Sequence, residues 1–362
     1  MIARLFICLY NIVIMRNSGG WWRTWMGCRG KCPSLSKIPL LLAGRAAQAE
    51  TQKELRLRTL MPSILDKTFK GELLDEPVNV AFTEPASKAN PAGRTPPTCL
   101  LGALVGDVIG SLYEFSAQKS TDFPLFCEDS ELTDDSILTL AVADAIVNGR
   151  SYLECIREYA MAYPDSGYGG FFRQWMYSND PQPYDSFGNG SAMRVSPIGW
   201  AFDTVEDVIR EAEASAAVTH NHPEGIKGAQ TVALAIFRAR NGSTKDEIRK
   251  EINGRFGYDL SHTVDEIRLT YQFDETCQKT VPPAMVAFLE SENFEDAIRK
   301  AVSLGGDADT LAAITGSIAE AYYGGVPEEI ATEVCRRVPI ELQEIVERFS
   351  RKYFRRADSG PF

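Results

Sequence analysis

From Leu100 to Phe354 the apolar residues return every three or four positions, and no stretch sustains an alternation of polar and β-branched residues. A chain with that period buries its apolar faces by packing helix on helix, so the sequence predicts an all-α domain over residues 99–355. Leu100 to Phe115 opens it, with Gly102, Ala103, Gly106 and Gly110 placed to let a second backbone approach closely, at some cost in helix propensity. Ser136 to Val147 follows, with Ile137, Leu140, Ala141 and Ala145 along one stripe and Gly149 as a stop. Further segments of the same kind run over 152–163, 205–219, 227–240, 245–256, 281–289, 294–303, 311–323 and 327–354. A domain of roughly 250 residues is within the reach of one hydrophobic core.

The ninety-eight residues upstream read differently. Residues 77–98 form a linker whose Pro85, Pro91, Pro96 and Pro97 forbid a regular element. Residues 46–76 carry Leu55, Leu60, Ile64, Leu65, Phe69 and Leu73 in a polar helical pattern broken at Pro62. Residues 1–48 mix aromatic, basic, glycine and proline residues without a period, which predicts poor order. The apolar run from Ile2 to Met15 is interrupted by Arg4 and Asn11 and is shorter than a membrane span. Trp21, Trp22 and Trp25 follow it where a signal peptide would place small residues.

Charge divides along the same line. The whole chain carries −11, yet residues 1–60 hold ten basic residues against Glu50 and Glu54, which leaves −19 for the rest. A nucleic-acid-binding face on the main domain is therefore disfavoured, and no membrane is expected as a partner. Eight cysteines are scattered, with only Cys28 and Cys32 close together, and free thiols in a reducing cytoplasm account for them.

Chemistry concentrates in short acidic clusters. Thr133-Asp134-Asp135-Ser136 and Gly305-Gly306-Asp307-Ala308-Asp309-Thr310 each stand directly before an apolar helical run. Two readings fit: helix caps, which hydroxyl and carboxylate side chains favour, or oxygen ligands converging on a hard cation. A cap needs one such residue, and each cluster supplies three or four. Asp107 and Glu114 lie seven apart, two helical turns, on one face of a segment whose glycines and alanines imply burial. The loop Ser186 to Gly199 sets Gly188, Asn189, Gly190 and Ser191 before a helical run, a pattern either of an ordinary turn or of backbone N–H groups aimed at an anion. His220 and His222 are two of only three histidines, and no third ligand has zinc spacing. Serine-nucleophile, Walker A and dinucleotide-binding signatures are missing.

Taken in order, Gly106-Asp107…Gly110…Glu114, Thr133 to Ser136, Gly188 to Arg194, Thr219-His220 and Gly305 to Thr310 resemble the ADP-ribosylglycohydrolases of the dinitrogenase-reductase-activating glycohydrolase type. The resemblance spans about Cys99 to Phe349. It implies an orthogonal multi-helix bundle with a dinuclear cleft holding two Mg²⁺ or Mn²⁺ ions, and release of ADP-ribose from a modified protein or another conjugate by cleavage at C1″. Thr133, Asp134, Asp135, Asp307, Asp309 and Thr310 would then ligate metal, with Glu114, Asp134, Asp135, Asp307 and Asp309 as the catalytic carboxylates. Gly188, Asn189, Gly190, Ser191 and His220 would hold the ADP-ribose, and Tyr168 and Gly169 would border the cleft. Ser136 stands where the family more often has threonine, and keeps the hydroxyl.

Leu60 to Leu73 also resembles the C-terminal tail of type I restriction-modification specificity subunits. The resembling tail, residues 46–76, covers about thirty residues without the target-recognition domains of that family, and reads as a gene-fusion remnant. Two other functions stand as alternatives to hydrolysis: a non-catalytic ADP-ribose or nucleotide-binding module, and a restriction-modification accessory protein.

Overall fold

The computed structural model describes residues 12–17, 20–25, 99–116 and 118–354. The chain divides into two units, Met1–Ser87 and Lys88–Phe362. In the first, β1 (Ile12–Asn17) and β2 (Gly20–Trp25) form an antiparallel hairpin with Ile12 opposite Trp25 and Asn17 opposite Gly20. The expectations for the remainder of 1–48, for the helical stretch 46–76 and for the linker 77–98 fall outside the described residues.

The second unit is the all-α bundle that the periodicity predicts, with fifteen helices among its described residues. They are α1 (Leu101–Gly110), α2 (Asp134–Asn148), α3 (Tyr152–Ala162), α4 (Gly170–Met176), α5 (Gly190–Met193), α6 (Ser196–Ala201), α7 (Val205–Ala216) and α8 (Pro223–Arg240). Then follow α9 (Lys245–Phe256), α10 (Val264–Thr270), α11 (Cys277–Glu290), α12 (Phe294–Val302), α13 (Ala308–Tyr323), α14 (Glu328–Cys335) and α15 (Ile340–Tyr353). Many of their starts are written locally. Thr204, Thr244, Thr263 and Asn293 each accept a backbone N–H two or three residues into the helix they cap, and Thr244 and Thr263 complete capping boxes with Glu247 and Glu266.

The centre of the bundle is α13, buried from Ala308 to Ala321 and packed against α1, α8, α11 and α12. Its contact with α1 is backbone on backbone. A Cβ added at Gly106 would lie 2.0 Å from the Ala312 carbonyl oxygen, and one at Gly102 2.2 Å from that of Gly316. The small-residue stripe of α1 is therefore a docking groove for α13. Buried Glu320 closes its far end by accepting N–H groups of Leu100 and Gly102 at 3.0 and 2.9 Å.

Four differences from the sequence reading have physical causes. The segment opening at Leu100 ends as a helix at Gly110, whose Cα is pressed against Asp309, and turns carry the chain on to Ser116. Asp107 and Glu114 thus do not share one regular helix face. The segment 327–354 is two helices, because Pro339 has no N–H to continue the first. Helix α11 starts at Cys277 rather than Val281, since Cys277 N donates to Phe187 O at 3.0 Å and pins that turn to the glycine loop. Finally, α4, α5, α6 and α10 have four to seven residues, too few to display a period. Among the described residues no helix is long and apolar enough to cross a membrane, and Cys99, Cys127, Cys155, Cys277 and Cys335 are free.

Candidate functional site

Beneath the start of α2 lies Asp107 of α1, wholly buried. Its carboxylate accepts Thr133 N at 3.0 Å, Thr133 Oγ1 at 2.7 Å and Ser136 N at 3.0 Å. Burial nevertheless pushes its carboxyl up to about 6. Thr133 is the N-cap of α2, accepting Asp135 N at 3.3 Å, and its hydroxyl proton is committed to Asp107. Asp134 and Asp135 take no part in capping and stand on the wall of a cavity.

The start of α13 is built differently. Gly305 and Gly306 both hold left-handed φ angles, 70° and 74°, a conformation costly for residues with a Cβ. They turn the chain so that Asp307 occupies the N-cap position without capping. Its Oδ2 instead accepts Asn189 Nδ2 at 2.6 Å. Thr310 Oγ1 donates to Asp135 Oδ2 at 3.2 Å and so ties the second cluster to the first. Of the cluster residues, Thr133 caps its helix and Asp309 Oδ1 accepts the first-turn N–H of Thr310 at 2.9 Å, which leaves Asp134, Asp135 and Asp307 outside the capping reading.

Carboxylate oxygens of Glu114, Asp307 and Asp309 lie within 4.8 Å of one another, close enough to hold a metal ion. Asp135 Oδ1 is buried without a hydrogen-bond partner. Burial, together with the charge of Asp309, pushes the carboxyls of Asp134 and Asp135 well above the ordinary range. Asp309 is raised likewise by burial and by Asp307. Glu114, at the mouth, is pushed up to about 8 by burial and by Asp309, Asp107 and Glu275. Arg194 is the one arginine or lysine among the described residues lining this cavity. So many buried carboxyls with so little positive charge favour protons or a cation.

The facing wall is the glycine loop. Gly188 bridges Thr276, Asn189 N donates to Glu275 O at 2.7 Å, and α5 follows at Gly190. His220 stands over the loop: Cβ atoms added at Gly188 and Gly190 would lie 3.4 and 3.1 Å from its Nε2. Burial first, then the Arg194 charge, holds the His220 imidazole well below its usual range, so it is neutral.

The structure brings Glu114, Asp134, Asp135, Gly169, Gly188, Asn189, Gly190, His220, Asp307, Asp309 and Thr310 to this one cavity. It leaves three expected residues off the wall. Thr133 sits behind Asp134, Ser191 turns inward to donate to Gly225 O at 2.7 Å, and buried Tyr168 stacks on Phe172 at 5.1 Å. His222 caps α8, accepting Glu224 N at 3.1 Å, which is its structural role. Phe171, Tyr184, Phe273 and Glu275 also line the cavity, and sequence reasoning missed them because neither loops nor the seven-residue α4, which carries Phe171, display a period.

The chain has relatives among known proteins. Residues 98–358 match the ADP-ribosylglycohydrolase family, and the chain belongs to that family. The human ADP-ribosylhydrolase ARH3 is 28% identical over 313 residues, 64% of this chain and 86% of that protein. The ADP-ribosylarginine hydrolase Tri1 of Pseudomonas putida is 28% identical over 293 residues, 69% and 77% respectively. A solved chain described as an ADP-ribosylglycohydrolase-related protein complex shares the fold at a TM-score of 0.55 and 24% identity, covering 70% of this chain and 96% of that one.

Proposed function

We propose that this chain is a divalent-metal-dependent hydrolase that releases ADP-ribose from a modified protein or other conjugate by breaking the C1″ glycosidic bond. The observation that carries the reading is the convergence of Glu114, Asp307 and Asp309 within 4.8 Å, beside the unpartnered Asp135 Oδ1 and opposite the glycine loop. The donor set fits the ion: every ligand atom on offer is oxygen, the preference of Mg²⁺ or Mn²⁺. Asp134, Asp135, Asp307, Asp309 and Thr310 would hold the metal, two ions in the fullest form, with Thr133 fixing the helix start behind them. A bound divalent cation supplies positive charge against which ribose hydroxyls and an attacking water are held.

The chain's own residues do the rest. The Gly188–Gly190 loop and the His220 ring hold the ADP-ribose, which fixes C1″ against the carboxylates. Departure of the aglycone builds oxocarbenium character at C1″, which the surrounding carboxylates stabilise electrostatically. Glu114 at the mouth positions the distal ribose, and a carboxylate of the cluster takes the proton of the attacking water, a proton that then passes to the departing aglycone. The test is a hydrolysis screen of the full chain against arginine-, serine- and nucleic-acid-linked ADP-ribose, with and without Mg²⁺. Mg²⁺-dependent release from at least one conjugate is expected; binding of ADP-ribose without release from any would make the chain a non-catalytic module.

Cation and pH should be linked. The folded state holds the Asp107 carboxyl near 6 and the Glu114 carboxyl near 8, and raises those of Asp134, Asp135, Asp307 and Asp309. The fold therefore binds protons that the unfolded chain releases near pH 4, so cation-free stability falls as pH rises from about 4 toward 8. A divalent ion takes the place of those protons. The gain in Tm from Mg²⁺ over EDTA should be small at pH 5 and roughly 5 °C or more at pH 8. An equal gain at both pH values would contradict occupation of the carboxylate cluster.

A further inference from the structure

Arg194 is the largest fully buried side chain among the described residues, and its Nε and Nη1 have no hydrogen-bond partner. A guanidinium with no exposed surface and no carboxylate bonded to it is expensive, and needs a reason beyond packing. Its Nη2 donates to Ser215 O at 3.1 Å and to Thr219 Oγ1 at 2.9 Å. Thr219 Oγ1 lies 2.6 Å from His220 Nδ1, and the opposite edge of that ring, Nε2, faces the glycine loop.

We infer that Arg194 is a positioning residue: through Thr219 it fixes His220 as a donor, with Nε2–H aimed at an anionic oxygen of the ligand. The groups that face the ring are few. Thr219 Oγ1 meets Arg194, His220 and the Tyr184 side chain. It has one proton and two lone pairs, and the Arg194 N–H fills one lone pair. A cation bonded to that oxygen polarises its O–H outward and repels a second N–H dipole. The Thr219 proton therefore goes to His220 Nδ1, and the ring proton resides on Nε2. The relay lies in the cavity wall, opposite the carboxylates, and delivers a donor where anionic groups bind.

This inference rests on the reading of the cavity as an ADP-ribose site, whose diphosphate is the anion. Bound ligand and transition state present the same diphosphate, so the relay acts on affinity and not on the chemical step. The experiment combines two measurements on the full chain. In the ¹⁵N-labelled protein, long-range ¹H–¹⁵N correlation reads the His220 tautomer, assigned by the loss of its signals in His220→Gln. The Nε2–H form is expected at neutral pH, and the Nδ1–H form overturns the relay. Thr219→Val should weaken ADP-ribose binding and raise KM about tenfold with kcat unchanged, the loss of one oriented charge-supported hydrogen bond. Thr219→Ser should restore both, which a packing role for the threonine methyl would not do. If Thr219→Val retains full affinity, or if serine fails to rescue, the inference falls. If the valine variant does not fold, the wild-type tautomer and the serine variant decide. An Nε2–H tautomer in a protein that releases no ADP-ribose leaves the relay standing and removes the hydrolase reading, so the two fail separately.

Discussion

Asp309→Asn should abolish ADP-ribose release and at the same time make the cation-free protein more stable. The charge of Asp309 is the first-ranked Coulombic burden on Asp134, Asp135 and Glu114, behind only burial itself. Replacing it with a neutral amide relieves that repulsion without opening a cavity, so the Tm in EDTA at pH 8 should rise. The same change removes one of the three side chains that converge at the candidate metal position. A fall in kcat/KM of at least about a thousandfold is expected, of the order seen when a preorganised electrostatic group is lost. The Tm gain on adding Mg²⁺ should shrink as well. Opposite signs for stability and activity mark a site strained for function. Near-normal turnover by the variant would sink the metal assignment.

Gly106→Ala should do the reverse, damaging the fold first and the chemistry only as a consequence. The added Cβ would lie 2.0 Å from Ala312 O, 2.2 Å from Ala312 C and 2.4 Å from Ala313 N, all backbone atoms of α13 that cannot rotate away. The two helices must separate, at a cost of about 3 kcal/mol or more. For a domain of this size that is roughly a 10 °C loss in Tm. Gly254→Ala in α9 is the matched control, since nothing lies within 4 Å of its added Cβ. That change should be neutral or stabilise by about 0.5–1 kcal/mol through helix propensity. A Gly106→Ala protein that melts with the wild type would show that α1 can lift off α13 without penalty.

How much of this was written in the sequence depends on distance along the chain. Helices capped by their own neighbours, such as α9 with Thr244 and Glu247, were legible to within a residue. The start of α11 was not, because the bond from Cys277 N to Phe187 O that places it comes from ninety residues away. In the site, the acidic clusters and the glycine loop announced themselves by residue type. Their mutual facing did not: it depends on Thr310 reaching Asp135 and Asn189 reaching Asp307, contacts spanning 175 and 118 positions. Arg194 stood in plain view inside the glycine-loop motif, yet only its burial, with Nε and Nη1 unpartnered, distinguishes it from a surface arginine.

Helix α1 contributes no residue to the cavity wall, yet both halves of the wall are registered against it. Through Asp107 it grips the start of α2, and through its glycines it lies against the backbone of α13. It acts as a machinist's spacer: the gap between the two rows of carboxylates is set by the thickness of a helix without side chains on its contact face. The carboxylates can rotate, but the helix starts that carry them are held by backbone packing and cannot slide apart without breaking it.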